Sequence, residues 1–130
     1  MPDVTFCDET AAGHPVAAFT LPGLPERITA RELIRLRVRE EVARYNLDPG
    51  PHFCGLVQPS GAEAERGCYR MPAPRRLDWE AQADVAEQAF VRNGFFMLAG
   101  DRQVEDLDEV VSLADDPSVV FVKLVPLAGG

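Results

Sequence analysis

The sequence predicts a small α+β domain. Three observations predict it. Two short apolar runs separated by turn formers open the chain, a strongly capped amphipathic helix follows, and apolar strand-like runs return near the end. With 130 residues, one domain is expected, residues 1–130, and a chain of this size can bury a core without disulfides or metals. Apolar residues make up 46% and charged residues 26%, the balance of a globular protein rather than a disordered one.

The apolar runs at 4–8 and 16–21 flank Thr10, Gly13 and Pro15, and read as a hairpin. Pro22, Gly23 and Pro25 end it. Thr29 and Glu32 then form a capping-box pattern, with Ile28 and Leu33 placed as a hydrophobic staple. Leu33, Ile34, Val38, Val42 and Tyr45 fall at helical spacing, which predicts a helix to Tyr45, stopped by Asn46, Asp48, Pro49 and Gly50.

Residues 47–77 hold five prolines and four glycines and are read as a long irregular segment, with a short edge strand at 53–57. Asp78 is a good N-cap for a second helix over 79–93, with Trp79, Ala83, Ala86 and Phe90 on one face and Gly94 as the residue that ends it. A strand over 95–99, a Gly100-Asp101 turn and a short strand at Gln103 and Val104 follow. Residues 105–117 read as an acidic loop or a short helical turn. In the last strand, 119–125, Lys123 is assigned to the outer face, which turns Val120, Val122 and Leu124 inward and Val119, Phe121 and Val125 outward. Pro126 ends the strand, and residues 126–130 are expected to project as a flexible tail.

Charge and composition exclude several function classes. A net charge of −8 disfavours nucleic-acid and anionic-membrane partners. No apolar run approaches 18 residues, and the N-terminus has no secretory pattern, so a cytoplasmic location is expected. Cys7, Cys54 and Cys68 are odd in number and lack C-x-x-C spacing, and are therefore expected to be reduced thiols. His14 and His52 are the only histidines, and no metal-ligand spacing involves them. No nucleophile motif, zinc motif or phosphate loop occurs, so no catalytic residue, no metal site and no resident cofactor is expected.

The residues with the clearest chemistry are the last ones, Leu127-Ala128-Gly129-Gly130. Two residues without a Cβ can thread a narrow channel and present an unhindered carboxylate for adenylation and thiol attack. The stretch Phe96-Met97-Leu98-Ala99-Gly100-Asp101-Arg102-Gln103-Val104-Glu105-Asp106 is similar to the ubiquitin segment of apolar strand, Ala-Gly, polar pair, Gln, aliphatic residue and Glu-Asp. Residues 119–130 resemble ubiquitin's last strand and tail. The runs Leu33-Ile34-Arg35-Leu36-Arg37-Val38-Arg39-Glu40-Glu41-Val42 and Asp78-Trp79-Glu80-Ala81-Gln82-Ala83 extend the resemblance to the bacterial ubiquitin-like modifiers of Bil-type antiphage conjugation operons.

That resemblance implies a ubiquitin-like β-grasp fold with an insertion at 47–93 that carries the second helix. It also implies a modifier, not an enzyme. The Gly130 carboxylate would be activated and joined to target proteins, with Gly129 beside it and Leu127 seating the tail. ATP would be used by the partner activating enzyme. The implied partners are that enzyme, a conjugating-like enzyme, a deubiquitinase-like protease and the target. Pro126 and Ala128 stand where ubiquitin has arginines, which implies a dedicated activating enzyme. Phe96, Met97 and Leu98 would present a partner surface, or else form plain core. A β-grasp sulfur carrier with a C-terminal thiocarboxylate is the alternative.

Residues 27–44 carry net charge +3 and residues 101–116 carry −6. These read either as solvated faces with local pairs, such as Glu40 with Arg44, or as complementary surfaces that make a homo-oligomer.

Overall fold

In a computed structural model of the protein, residues 2–65, 68–115 and 117–124 are described. The chain runs β1 (Val4–Thr10), β2 (Pro15–Leu21), β3 (Arg27–Thr29), α1 (Ala30–Leu47), β4 (His52–Phe53), β5 (Glu63–Glu65), β6 (Cys68–Arg70), α2 (Trp79–Val91), β7 (Phe95–Ala99), β8 (Arg102–Val104), β9 (Val110–Ser112) and β10 (Ser118–Lys123). The architecture is mixed: two helices and a five-stranded sheet ordered β2-β1-β10-β7-β8, with two smaller sheets. The central pair β1–β10 is parallel and the other pairs of the large sheet are antiparallel. A parallel pair needs a crossover, and α1 lies within it.

Alternation along the central strands fixes which face is buried. Val4, Phe6 and Asp8 of β1, Phe95, Met97 and Ala99 of β7, and Val119, Phe121 and Lys123 of β10 are all buried. Leu33, Ile34, Arg37, Val38 and Val42 of α1 pack on that face. The parity of β10 is therefore the reverse of the expected one: Val120 and Val122 are on the outer face, and Leu124 beyond the strand is exposed. The premise that Lys123 must face water fails because its ammonium finds a carbonyl partner inside.

Helix α1 starts where the Thr29 hydroxyl accepts the Glu32 amide at 3.2 Å. Two further orphan amides, Ala30 and Arg31, donate to the carbonyls of Glu109 and Leu107, each at 2.9 Å. The acidic stretch thus caps the helix, and it also holds a strand: β9 pairs antiparallel with β3. At the far end, the Asn46 amide group bonds the Leu77 carbonyl and amide, at 2.9 and 2.8 Å, fixing the entry to α2. Asp78 caps α2 by accepting the Glu80 amide. Asn93, not Gly94, takes the left-handed position after α2, with φ of 61°.

The proline- and glycine-rich stretch is more ordered than its composition implies. Strands β4, β6 and β5 form a small antiparallel sheet, and the expected strand at 53–57 reduces to His52–Phe53. A disulfide joins Cys54 to Cys68, against the expectation of free thiols; Cys7 alone is free. A small sheet with few apolar residues gains from such a cross-link, because it restricts the unfolded chain. Phe53, Leu56, Val57 and Met71 bury their side chains and close the core. Phe53 meets Tyr45 edge to face at 5.3 Å between ring centres.

Arg37 is the largest fully buried side chain, 1% exposed. Truncating it leaves Asp8 and Glu41 without their partner. Arg37→Leu is expected to destabilise the fold by about 3–5 kcal/mol, measured as a lowered urea midpoint with an unchanged m-value.

Candidate functional site: the end of the last strand

The expected site residues divide into three groups. Gly129, Gly130 and Leu127 lie outside the described residues. Phe96 and Leu98 are partly exposed on the outer face of the sheet. Leu98 lies beside Val120, which lies beside Cys7, and Phe96 lies beside Val122, so the outer face carries a contiguous apolar surface. Met97 points the opposite way and is 0% exposed, so it is core and is removed from the partner surface. The period of two along β7 makes that division unavoidable: only one parity can face out.

The tail follows β10 in the sequence, and the end of that strand is anchored at several points. Lys123 pairs with Thr10 on one side and Phe95 on the other. Its side chain is 7% exposed. Its Nζ donates to the Gly55 carbonyl at 2.7 Å and lies 5.5 Å from the centre of the Tyr69 ring. Nearby, Arg37 engages both carboxylate oxygens of Asp8, with Nη2 to Oδ2 at 2.6 Å, and its Nε donates to Glu41 Oε2 at 3.2 Å. The Leu56 amide donates to Glu41 Oε1 at 2.9 Å. Arg37 also stacks 4.6 Å from the centre of the Phe121 ring. Two acids and two bases thus form a neutral cluster that joins β1, α1, the stretch at 55–56 and β10.

Burial sets the proton affinities there. It pushes the Lys123 ammonium below the usual lysine range, with Asp8 opposing. It raises Glu41, outweighing the Arg37 charge and the Leu56 amide. Tyr69 is raised by burial and by the Glu41 charge. The sign of each shift is that of a charged form made costlier by lost water.

A cleft of about 340 Å³ opens beside this cluster, walled by Phe6, Phe19, Tyr45 and Phe53. Arg44, His52 and the exposed Cys54 stand around it. Among the described residues, no group of three or more His, Cys, Asp or Glu could hold a metal ion. No helix of the described residues is long and apolar enough to cross a membrane.

The arginine-rich helix and the acidic segment also meet within one chain. Arg31 pairs with Glu87 at 2.9 Å and with Asp108. Arg35 pairs with Asp84 at 2.9 Å and Glu87 at 2.5 Å. Arg35 and Arg39 lie 5.6 and 5.5 Å from the Trp79 ring centre. The Glu40–Arg44 pair forms at 2.9 Å as spaced.

The buried cluster was not anticipated. A signal for it exists: Arg37 and Glu41 are four apart and lie within the apolar stripe of Leu33, Ile34, Val38 and Val42. No protein-family model matches the chain, and neither the curated proteins nor the solved structures compared with it give a match.

Two outcomes follow from this geometry. A Cβ on Gly55 would sit 2.2 Å from the buried Phe53 ring and 3.0 Å from Glu41 Oε1. Gly55→Ala is expected to cost about 1–3 kcal/mol, read from thermal and urea unfolding. For Lys123, the folded state sheds its proton below the usual 10.5, while the unfolded chain holds it. Stability contributed by this group is full above 10.5 and is lost as pH falls through the lowered folded value. The stability difference between the native protein and Lys123→Met should therefore shift in favour of the native protein as pH rises toward 10.5. A difference that stays flat as pH approaches 10.5 contradicts the shift.

Proposed function

We propose that the chain is a ubiquitin-like protein modifier with a β-grasp fold, activated at the Gly130 carboxylate and joined to target proteins. The observation that carries this reading is the sheet order β2-β1-β10-β7-β8 with a parallel central pair, crossed on one face by α1. The small sheet and α2 then form the insertion at 47–93. The second support is the resemblance of residues 96–106 and 119–130 to ubiquitin. In this reading the protein is a substrate of a dedicated ATP-using activating enzyme, a conjugating-like enzyme and a deubiquitinase-like protease, in the cytoplasm of a cell that uses conjugation for antiphage defence. Phe96 and Leu98, with Val120 and Val122, are the partner surface.

The chemistry asks three things of the protein. Gly129 and Gly130 pass a narrow channel because neither carries a Cβ. Leu127 seats the tail. The clamp at Lys123 fixes the end of the central strand from which the tail continues in sequence, so that binding the sheet face also positions the carboxylate.

Mass spectrometry of conjugates from cells expressing the protein tests the reading. Lys123 is the last tryptic site, so a modified target lysine should carry the remnant of residues 124–130. Deleting Gly130 should abolish that remnant, and its persistence in the deletion variant contradicts the proposal. A terminal product heavier by about 16 Da, with no remnant on any target, is the signature of a thiocarboxylate sulfur carrier and would replace it.

A further inference from the structure

Residues 54–56 are held at three successive points. Cys54 is cross-linked to Cys68, the Gly55 carbonyl accepts from Lys123 Nζ, and the Leu56 amide donates to Glu41. Gly55 and the Tyr69 ring are among the groups that cover the Lys123 ammonium. Gly55 directly follows Cys54 and Tyr69 directly follows Cys68. The cross-link therefore ties together the two backbone points that close over Nζ. Lys123 is also the only lysine of the chain.

We infer that the Cys54–Cys68 disulfide is a redox gate over Lys123, and that Lys123 is a latent acylation site exposed when the disulfide is reduced. Closed, the amine is buried and engaged with a carbonyl, so an acyl donor has no approach. Without the cross-link, the cover keeps a two-residue strand, two three-residue strands, the Leu56–Glu41 bond and the buried side chains of Phe53 and Leu56. Such short pairings are marginal alone, and local opening becomes easier than global unfolding. The large sheet does not include these strands, so β1, β7 and β10 keep their pairing.

The gate has an accessible entry. Cys54 is exposed at the cleft, while Cys68 is half-buried. A dithiol opens it in balance. One thiolate attacks Cys54 Sγ, the Cys54–Cys68 bond breaks, and Cys68 leaves as a thiolate that takes up a proton. The second thiol of the reductant then displaces Cys54 from the mixed disulfide. The reductant closes into its own disulfide, having given up two electrons and two protons. The freed amine then attacks an activated ester or thioester, expels the alcohol or thiol, and forms an amide. None of this depends on the chemistry of the tail.

The test uses the full chain, with and without dithiothreitol, and N-hydroxysuccinimidyl acetate as the acyl probe. Acetylation of Lys123 is read by mass spectrometry, with amide hydrogen exchange of β7 and β10 measured in parallel. The expected result is at least a roughly tenfold faster acetylation in the reduced protein, with protection of β7 and β10 retained. Cys68→Ser should be acetylated at the reduced rate whether or not dithiothreitol is present. Equal rates in the oxidised and reduced protein would overturn the gate. So would a slow Cys68→Ser variant, or a rise that comes only with lost protection of β7 and β10, since that is global unfolding.

Discussion

The buried pairing of Arg37 with Asp8 and Glu41 is the constraint on which the rest of the structure depends. A guanidinium cannot be left unpaired in a core, and each of its partners belongs to a different part of the chain. Asp8 is on β1, and Glu41 is one turn further along α1. Glu41 in turn takes the Leu56 amide, and Gly55 beside it takes Lys123 at the end of β10. A helix that slid by one turn would carry the Arg37–Glu41 pair with it, and would break both the Asp8 pairing and the Leu56 amide bond. Hydrophobic burial supplies the driving force for collapse, and this polar cluster specifies the one register in which collapse satisfies every charge. Among the described residues no buried side-chain nitrogen or oxygen lacks a hydrogen-bond partner.

The exposed charges work differently. Arg31 and Arg35 face α2 and reach Glu87, Asp84 and Asp108 in water-accessible geometry. Such pairs contribute little individually, about 0–1 kcal/mol each. Their role is orientation, because together with Trp79 they set how α2 lies along α1. Of the acidic segment at 101–116, Asp108 is the side chain that takes part, through Arg31.

How much of this was legible in the sequence depends on the length scale of each signal. The caps at Thr29 and Asp78, the two helices and the strand at 95–99 were legible, because a cap is a local hydrogen-bond requirement and a long element shows its period. Strands β3 and β9 were not, because three residues are too few to show alternation and the pairing spans more than eighty positions. Lys123 misled by its type: lysine usually marks a wet face, and only the carbonyl of Gly55, far away in sequence, makes the inward rotamer favourable. That single residue reversed the assigned parity of β10. Met97 followed from the same ambiguity, since a run of five apolar residues states no parity of its own. The pairing of Cys54 with Cys68 needed the small sheet that brings them together, although both fall in the same proline-rich stretch.

The central claim is that Arg37 is sealed in a neutral cluster that positions the end of β10. The solvent exchange rate of the Arg37 Nε–H, measured by nitrogen-resolved NMR of the native protein, tests this most directly. Arg44 Nε–H, which bonds Glu40 on an exposed side chain, is the internal reference. The predicted result is an Arg37 Nε–H that exchanges orders of magnitude more slowly than that of Arg44, because exchange requires the core to open. Comparable rates for the two would mean that water reaches the guanidinium, and would contradict the cluster as the anchor of the fold.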